Sequence, residues 1–394
     1  MKNFKCLTGI KELDNILNGG LPARRFYLIQ GDPGVGKTTL ALQFLLQGVS
    51  ENEKVLYISL SETEEEIRVI AESHGWSLDK VHIIDLSSIE ENLSVEKQNT
   101  LFHPSEIELK QTIKLIIDNV KEYKPARVVF DSLAEIRLLA QNSLRYRRQM
   151  LGLKQYFSKL NCTVLLLDDR TAGQEDLQIQ SIAHGVITLE KNILSYGVPR
   201  RQLHVDKIRG STFQEGYHDF VILRGGLCVF PRLLSKQNKK EFPMQTVSTG
   251  IPEFDNLLGG GIERGTSNLL LGPPGVGKST LAMRAALALA EKGEKVAIYC
   301  FDENVRTYLH RAKALGMDLE KYVKTEKVLI KQISVSELSP GEFAYQIKQM
   351  VESSDMRMVV IDSLNGYLNA MTDEVHLIVQ LHELFSYLNH QAVI

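Results

Sequence analysis

The sequence of 394 residues predicts two tandem α/β domains, each built on a mostly parallel, doubly wound sheet. Three observations support this prediction. The length exceeds what one typical core holds, short apolar runs alternate with amphipathic helical segments, and the first part of the chain recurs in the second part. Because continuous apolar strands are buried on both sides, their alternation with helices indicates a sheet covered on both faces.

A long internal repeat divides the chain. The segment from Thr8, TGIKELDNILNGGLPARRFYLIQGDPGVGKTTLALQF, returns from Thr249 as TGIPEFDNLLGGGIERGTSNLLLGPPGVGKSTLAMRA. We therefore predict a first domain over residues 1–234, a polar linker over 235–246 and a second domain over 247–394. Copy one carries a longer loop around IEENLSVEKQNTLFHPSE. Copy two stops within an apolar strand, from which we expect a C-terminally truncated second domain.

Within each copy, strands and helices alternate. In copy one FYLIQ is a strand and KTTLALQFLLQG a helix, and KVLYISL, ARVVF and CTVLLLDD are further apolar strands. The segment SEIELKQTIKLIIDNVKEY predicts an amphipathic helix. Its apolar face consists of Ile107, Leu109, Ile113, Ile116, Ile117 and Val120.

Composition and charge limit the classes of function. Lys and Arg number 46 against 48 Asp and Glu, a net charge of −2, whereas a protein that coats nucleic acid is usually basic. The four cysteines form no C-x-x-C pair, which predicts reduced thiols rather than a zinc site or disulfides. No apolar stretch is long enough for a membrane helix. We therefore expect a soluble, cytoplasmic protein with neither nucleic acid nor membrane as its main partner.

The pattern G-x-x-x-x-G-K-[ST] occurs twice, at residues 31–38 and 272–279. The N–H groups of such a loop wrap phosphates, its lysine reaches the terminal phosphate oxygens, and its hydroxyl ligates Mg²⁺. Two matches in register make a chance occurrence negligible. The predicted nucleotide-binding residues are Gly34, Val35, Gly36, Lys37, Thr38 and Thr39 in copy one and Gly275, Val276, Gly277, Lys278, Ser279 and Thr280 in copy two.

An aspartate ends another apolar strand in each copy. Asp131 stands in RVVFDSL and Asp362 in MVVIDSL. A carboxylate there can hold Mg²⁺ from the side opposite the loop hydroxyl, so we predict metal sites at Thr38 with Asp131 and at Ser279 with Asp362.

Hydrolysis also needs a group that orients or deprotonates the attacking water. After the second strand come Ser61-Glu62-Thr63 in copy one and Asp302-Glu303-Asn304 in copy two. Surface acids that begin a helix give the same pattern. The position after a strand favours catalysis, so Glu62, Asp302 and Glu303 are the candidates.

These features together resemble the KaiC family within the RecA-like ATPases, over nearly the whole chain. They are T-G-I…L-D…L-N-G-G-L, the glycine-rich loop, the acidic pair, F-D-S-L and the segment K-I-R-G-S at 207–211. The resemblance implies two RecA-like P-loop domains, ATP and Mg²⁺ as cofactors, and slow hydrolysis in a signalling or timing role. It also implies a hexameric ring with ATP at the subunit interfaces, clock or signalling partner proteins, and serine/threonine autokinase activity, whose residues would lie beyond Ile394.

The resemblance assigns a catalytic role to one basic segment. By spacing alone, Lys207 and Arg209 are a solvated charge pair on a strand. In the KaiC family the corresponding segment reaches the nucleotide of the neighbouring subunit, which makes both residues trans-acting.

One departure from the family pattern leaves alternatives open. The acidic pair is usually Glu-Glu, whereas its first members here are Ser61 and Asp302. Copy one is therefore expected to hydrolyse slowly or to depend on Glu62. A DNA-handling recombinase or helicase-like motor on the same fold is a second hypothesis, against which the near-neutral charge counts. An ATP-stabilised scaffold with little turnover is a third.

Overall fold

The computed structural model of the chain describes residues 4–87, 104–169, 177–193, 197–234, 241–334, 338–370 and 377–394. Contacts divide the chain into two compact units. Unit 1 comprises Met1–Asn192 and Arg200–Pro231, and unit 2 comprises Ile193–Pro199 and Arg232–Ile394. Most of the predicted long loop of copy one and residues 235–240 of the predicted linker lie outside the described residues.

Unit 1 alternates strands and helices in the order that the sequence predicts. Its strands are β1 (Lys5–Cys6), β2 (Leu21–Pro22), β3 (Phe26–Gly31), β4 (Val55–Ser59), β5 (His82–Asp85), β6 (Arg127–Asp131), β7 (Thr163–Asp169), β8 (Gly185–Asn192), β9 (Arg200–Ile208), β10 (His218–Leu223) and β11 (Gly226–Phe230). Its helices are α1 (Lys11–Ile16), α2 (Lys37–Ser50), α3 (Glu64–Ser73), α4 (Pro104–Tyr123), α5 (Leu133–Ala140), α6 (Ser143–Lys159) and α7 (Leu177–Ile182).

A nine-stranded sheet organises unit 1, in the order β11-β10-β9-β8-β3-β7-β6-β4-β5. The six strands β8, β3, β7, β6, β4 and β5 run parallel to one another. Beyond β8 the sheet continues with the antiparallel strands β9, β10 and β11. The prediction of a mostly parallel sheet is confirmed.

The parallel strands are buried on both faces because alternate side chains enter two separate cores. Tyr27 and Ile29 of β3 pack in one core, and Phe26 and Leu28 pack in the other. The same alternation holds along β4, β6 and β7. Helix α4 contributes Ile116 and Val120 to the second core, as its periodicity predicts, whereas the side chain of Ile107 lies outside the described residues.

Unit 2 repeats the first half of this arrangement. Three parallel strands form its main sheet in the order β15-β14-β16, and β12 and β13 form an antiparallel pair. The strands are β12 (Thr246–Val247), β13 (Ile262–Glu263), β14 (Lys295–Cys300), β15 (Val328–Gln332) and β16 (Met356–Asp362). The helices are α8 (Pro252–Leu257), α9 (Lys278–Glu291), α10 (Val305–Ala314), α11 (Leu319–Lys324), α12 (Pro340–Ser354), α13 (Leu364–Ala370) and α14 (Leu377–His390). None of the helices described in either unit is long and apolar enough to cross a membrane.

Because the second glycine-rich loop repeats the first, the sequence predicts a strand before it as well, but the described structure has none there. Residues 267–272, which align with β3, are irregular, and the side chains of Leu269 and Leu271 are 68% and 90% exposed. In unit 1, β3 is hydrogen-bonded to β7 on one side and to β8 on the other. Within the described part of unit 2 no strand pairs with residues 267–272.

Candidate functional site

The candidate residues of unit 1 lie at the carboxyl ends of four adjacent strands. In the order β3-β7-β6-β4, these strands end at Gly31, Asp169, Asp131 and Ser59. Parallel strands have their carboxyl ends at the same edge of the sheet, so the residues at and after these ends lie together. Four distant stretches of sequence thus form one site.

The loop after β3 provides a cradle for an anion. Gly36 occupies the N-cap of α2 with φ +119°, and a Cβ there would lie 2.8 Å from Ile222 Cδ1. Because Gly36 has no side chain to cap the helix, the first N–H groups of α2 remain available to phosphate oxygens. Gly34 is exposed at the tip of the loop, whereas Val35 and Thr39 are buried and anchor it.

Lys37, the first residue of α2, is almost fully buried. Its Nζ donates to the carbonyl oxygens of Gly31 at 2.7 Å and Asp32 at 3.0 Å. The same nitrogen forms an ion pair with Asp169 Oδ1 at 2.6 Å. The ammonium group is therefore held at the mouth of the loop, where a terminal phosphate would be placed.

Thr38 and Asp131 form the predicted hydroxyl and carboxylate pair. Thr38 Oγ1 donates to Asp131 Oδ2 at 2.9 Å, and the buried Tyr57 hydroxyl donates to the same oxygen at 2.5 Å. Burial raises the pKa of Asp131, although these two hydrogen bonds act against it. A hydroxyl and a buried carboxylate are oxygen ligands that Mg²⁺ prefers, and the cation would offset the cost of burying the charge. The residues therefore fit a magnesium ion.

Glu62 is held beside this pair by the turn that follows β4. Ser59 Oγ donates to the Glu62 carbonyl at 2.5 Å and accepts from its N–H at 3.1 Å. Thr63 then begins α3 with a capping box to Glu66. Glu62 Oε2 is buried and has no hydrogen-bond partner among the residues that the structure describes, and its neighbour Ser61 is exposed. Burial, together with the nearby charges of Asp131 and Glu66, raises the pKa of Glu62.

Lys207 and Arg209 lie at the amino ends of the parallel strands, opposite the carboxyl ends that carry the site. The end of β9 pairs with the start of β8, and the N–H of Arg209 donates to the carbonyl of His184, just before β8. Their side chains donate to carbonyls at the end of α7, Lys207 to Gln180 and Arg209 to Ser181. Since the ends of a strand as long as β3 are roughly 16 Å apart, neither residue joins the glycine-rich loop of its own unit.

Unit 2 presents a more exposed version of the loop. Lys278 Nζ donates to the carbonyls of Gly272 at 2.8 Å and Pro273 at 2.9 Å. Gly277 takes the N-cap of α9 with φ +98°, and Val276 is 58% exposed where Val35 is buried. The other predicted binding residues are Gly275, before the helix, and Ser279 and Thr280, in its first turn.

The acidic pair of unit 2 is engaged by other side chains. Asp302 Oδ2 accepts a hydrogen bond from Ser363 Oγ at 2.6 Å, and Glu303 forms an ion pair with Arg311 at 2.7 Å. Asp362 ends β16 directly beside Cys300, the last residue of β14. Asp302, Glu303 and Asp362 are therefore brought together, but Glu303, unlike Glu62, is paired with a cation.

The sequence patterns did not identify three residues that contact the candidate groups. Tyr57 and Asp169 contact the key groups of unit 1, and Arg311 contacts Glu303. Asp169 had a detectable signal, because it ends the apolar strand CTVLLLDD just as Asp131 ends RVVFD. Tyr57 and Arg311 carried none, since their roles depend on contacts across the sheet and along a helix.

A model of the KaiC ATPase family matches residues 6–233 and, a second time, residues 247–394. This chain belongs to the KaiC family. Similar KaiC proteins include the circadian clock oscillator protein KaiC of Parathermosynechococcus lividus, 27% identical over 374 residues that cover 92% of this chain and 67% of the relative. The protein of the same name from Synechococcus elongatus is 25% identical over 381 residues, covering 94% and 71%. The circadian clock protein KaiC2 of Synechocystis is 26% identical over 373 residues, covering 93% and 65%.

Membership of the KaiC family confirms two tandem RecA-like P-loop domains. The chain spans about two thirds of the length of the named relatives, between 65% and 71%. The recombinase or helicase hypothesis is not favoured, because the matched family and the relatives named above are all KaiC proteins.

Proposed function

We propose that this chain is a slow, Mg²⁺-dependent ATPase in which Glu62 of unit 1 activates the attacking water. One observation carries the proposal. Within the described part of the chain, Glu62 has a buried carboxylate oxygen without a hydrogen-bond partner, at the same edge of the sheet as Lys37 and the Thr38–Asp131 pair. An unpaired carboxylate with a raised pKa is a better base than an exposed glutamate.

The remaining groups of unit 1 have complementary roles in this proposal. Lys37 and the N–H groups at the start of α2 bind the phosphates and neutralise charge that develops on them. Thr38 and Asp131 would hold Mg²⁺, which supplies Lewis-acid stabilisation of the phosphate oxygens when it is bound. Tyr57 keeps the Asp131 carboxylate oriented through its hydrogen bond.

We further propose that Lys207 and Arg209 act on the nucleotide of a neighbouring copy. Their position supports this, because they lie at the edge of the sheet away from their own glycine-rich loop. Basic groups near a terminal phosphate stabilise the charge of the transition state, and they can be donated by another subunit. A closed ring, a homohexamer by the family resemblance, would supply such a neighbour at every site.

For unit 2 we propose nucleotide binding with slower turnover. Lys278, Ser279 and Asp362 would bind the phosphates and Mg²⁺, and Asp302 and Glu303 remain the candidates for water activation. The ion pair between Glu303 and Arg311 at 2.7 Å supports slower turnover, because the guanidinium group engages the carboxylate that would have to contact the attacking water.

The biological role in this proposal is a signalling or timing ATPase with partner proteins, because the named relatives are described as circadian clock proteins. The four cysteines, all free, support a cytoplasmic location. Serine/threonine autokinase activity, which the family resemblance implies, is tested as a separate arm of the experiment below, on a chain that continues beyond Ile394, where its residues would lie.

The test measures the solution mass by light scattering, with and without Mg²⁺-ATP, alongside phosphate release and transfer of labelled phosphate to the chain. We expect ATP-dependent assembly toward about six subunits and slow release of phosphate. The variant Lys37→Ala should lose most of both, and Lys278→Ala should separate the contribution of unit 2. Phosphate release that is unaffected by Lys37→Ala contradicts the proposed site. A mass that is indifferent to ATP contradicts the ring, and label on the chain demonstrates the kinase.

A further inference from the structure

We infer that Asp169 is a positioning residue that competes with the nucleotide for Lys37 and thereby weakens nucleotide binding in unit 1. The inference rests on the proposed nucleotide site and adds a residue that sets its affinity. Asp169 is the last residue of β7, and in the register of the sheet it lies directly beside Gly31, the last residue of β3. The strand pairing itself therefore fixes a carboxylate next to the glycine-rich loop.

The hydrogen bonds of Lys37 show why this carboxylate matters. A lysine ammonium group has three N–H donors. In this structure they are directed to the Gly31 carbonyl at 2.7 Å, the Asp32 carbonyl at 3.0 Å and Asp169 Oδ1 at 2.6 Å. All three donors are thus engaged within the protein, and a phosphate oxygen has to displace one acceptor before it bonds to Lys37.

Electrostatics identifies Asp169 as the acceptor that opposes phosphate binding. The two carbonyl oxygens are neutral, but the carboxylate carries the same sign of charge as a phosphate. Lys37 is only 8% exposed and Asp169 29% exposed, so solvent screens their interaction incompletely. Arrival of a phosphate next to Lys37 therefore breaks the ion pair or brings two anions together on one ammonium group, and both outcomes cost affinity.

Unit 2 repeats the backbone part of this arrangement. Lys278 makes the equivalent bonds to the carbonyls of Gly272 and Pro273. The two carbonyl bonds are therefore common to both loops, and the ion pair with Asp169 is the third bond of the lysine in unit 1.

The test measures the affinity of Mg²⁺-ADP and of a slowly hydrolysed ATP analogue by calorimetry, in a chain that carries Lys278→Ala so that unit 1 alone reports. Asp169→Asn keeps the shape and removes the charge. We expect it to tighten binding about tenfold, the size of a charge-assisted hydrogen bond. In turnover assays KM should fall in proportion, while kcat does not rise.

Two further variants make the test specific. Asp168→Asn is the matched control, because it removes the same charge one residue earlier. Asp168 forms its ion pair with Arg137, at 2.5 Å. This variant should keep the nucleotide affinity within about threefold of the parent value. In a Lys37→Ala background, Asp169→Asn should bring no tightening, because its effect is transmitted through the ammonium group. Asp169→Ala replaces Asp169→Asn if the asparagine variant has a lowered melting temperature.

The outcomes separate this inference from the proposed function. If the parent chain binds nucleotide and Asp169→Asn leaves that affinity unchanged or weakens it, the inference is overturned. The proposed nucleotide site is not contradicted by that result. Equal tightening by Asp169→Asn with and without Lys37 also overturns it, since bulk charge would then be the cause. A folded parent chain that binds no nucleotide overturns both.

Discussion

Replacement of the catalytic candidate Glu62 by glutamine tests the proposed chemistry most directly. The substitution keeps the size of the side chain and removes its ability to accept a proton. General base catalysis contributes about 10²- to 10⁴-fold to a rate. Since Lys37, Thr38 and Asp131 remain in place, we expect a loss near the lower limit, a kcat reduced about 100-fold, which corresponds to roughly 2.7 kcal/mol of barrier.

The stability of Glu62→Gln should change in the opposite direction. Glu62 has a raised pKa because its charged form is partly buried next to Asp131. A neutral glutamine removes this repulsion, so the melting temperature should stay the same or rise. Loss of activity without loss of stability distinguishes a catalytic role from a structural one.

The assay is steady-state phosphate release in a Lys278→Ala background, measured across pH. In the parent chain kcat/KM should rise with pH as Glu62 loses its proton, with a midpoint above the ordinary glutamate pKa, and this rise should be absent from Glu62→Gln. Glu65→Gln, the same change at an exposed position of α3, is the matched control. A kcat within threefold of the parent, or a melting temperature several degrees lower, would refute the reasoning.

Two further predictions concern unit 2 and the edge of the sheet away from the nucleotide site. Replacement of Arg311 by methionine frees Glu303 from an ion pair at 2.7 Å, so phosphate release by unit 2, measured with the first loop inactivated, should rise about threefold. Because the Arg311 side chain is 39% exposed, the free energy of unfolding should change by less than about 1 kcal/mol, and turnover that stays at the parent level contradicts the prediction. Burial and nearby cations, chiefly Lys154, lower the pKa of His184 to about 4, below the usual histidine value near 6.5. The free energy of unfolding therefore falls as pH drops below about 6.5, by about 1 kcal/mol at pH 5.5. The variant His184→Asn can still accept a hydrogen bond from the Phe26 N–H. It should abolish this loss of stability when urea unfolding is compared at about pH 6.5 and at about pH 5.5. An asparagine variant that is as acid-sensitive as the parent excludes His184 as the cause.

The sequence by itself determined the duplication, the α/β alternation and the residues that form the candidate site. Glycine-rich loops and apolar strands that end in an acid are local patterns, and each predicts its own element without knowledge of the others. Because parallel strands all end at one edge of the sheet, the residues that follow them, such as Asp131 and Glu62, could be placed together before the strand order was known.

Only the tertiary structure decided what each of these residues contacts. The order β3-β7-β6-β4 brings Asp169 onto Lys37, and α10 places Arg311 on Glu303. In unit 1 the buried Oε2 of Glu62 has no hydrogen-bond partner among the described residues. Pairing between distant segments, which periodicity does not encode, sets the charge balance of the site and therefore its affinity and rate.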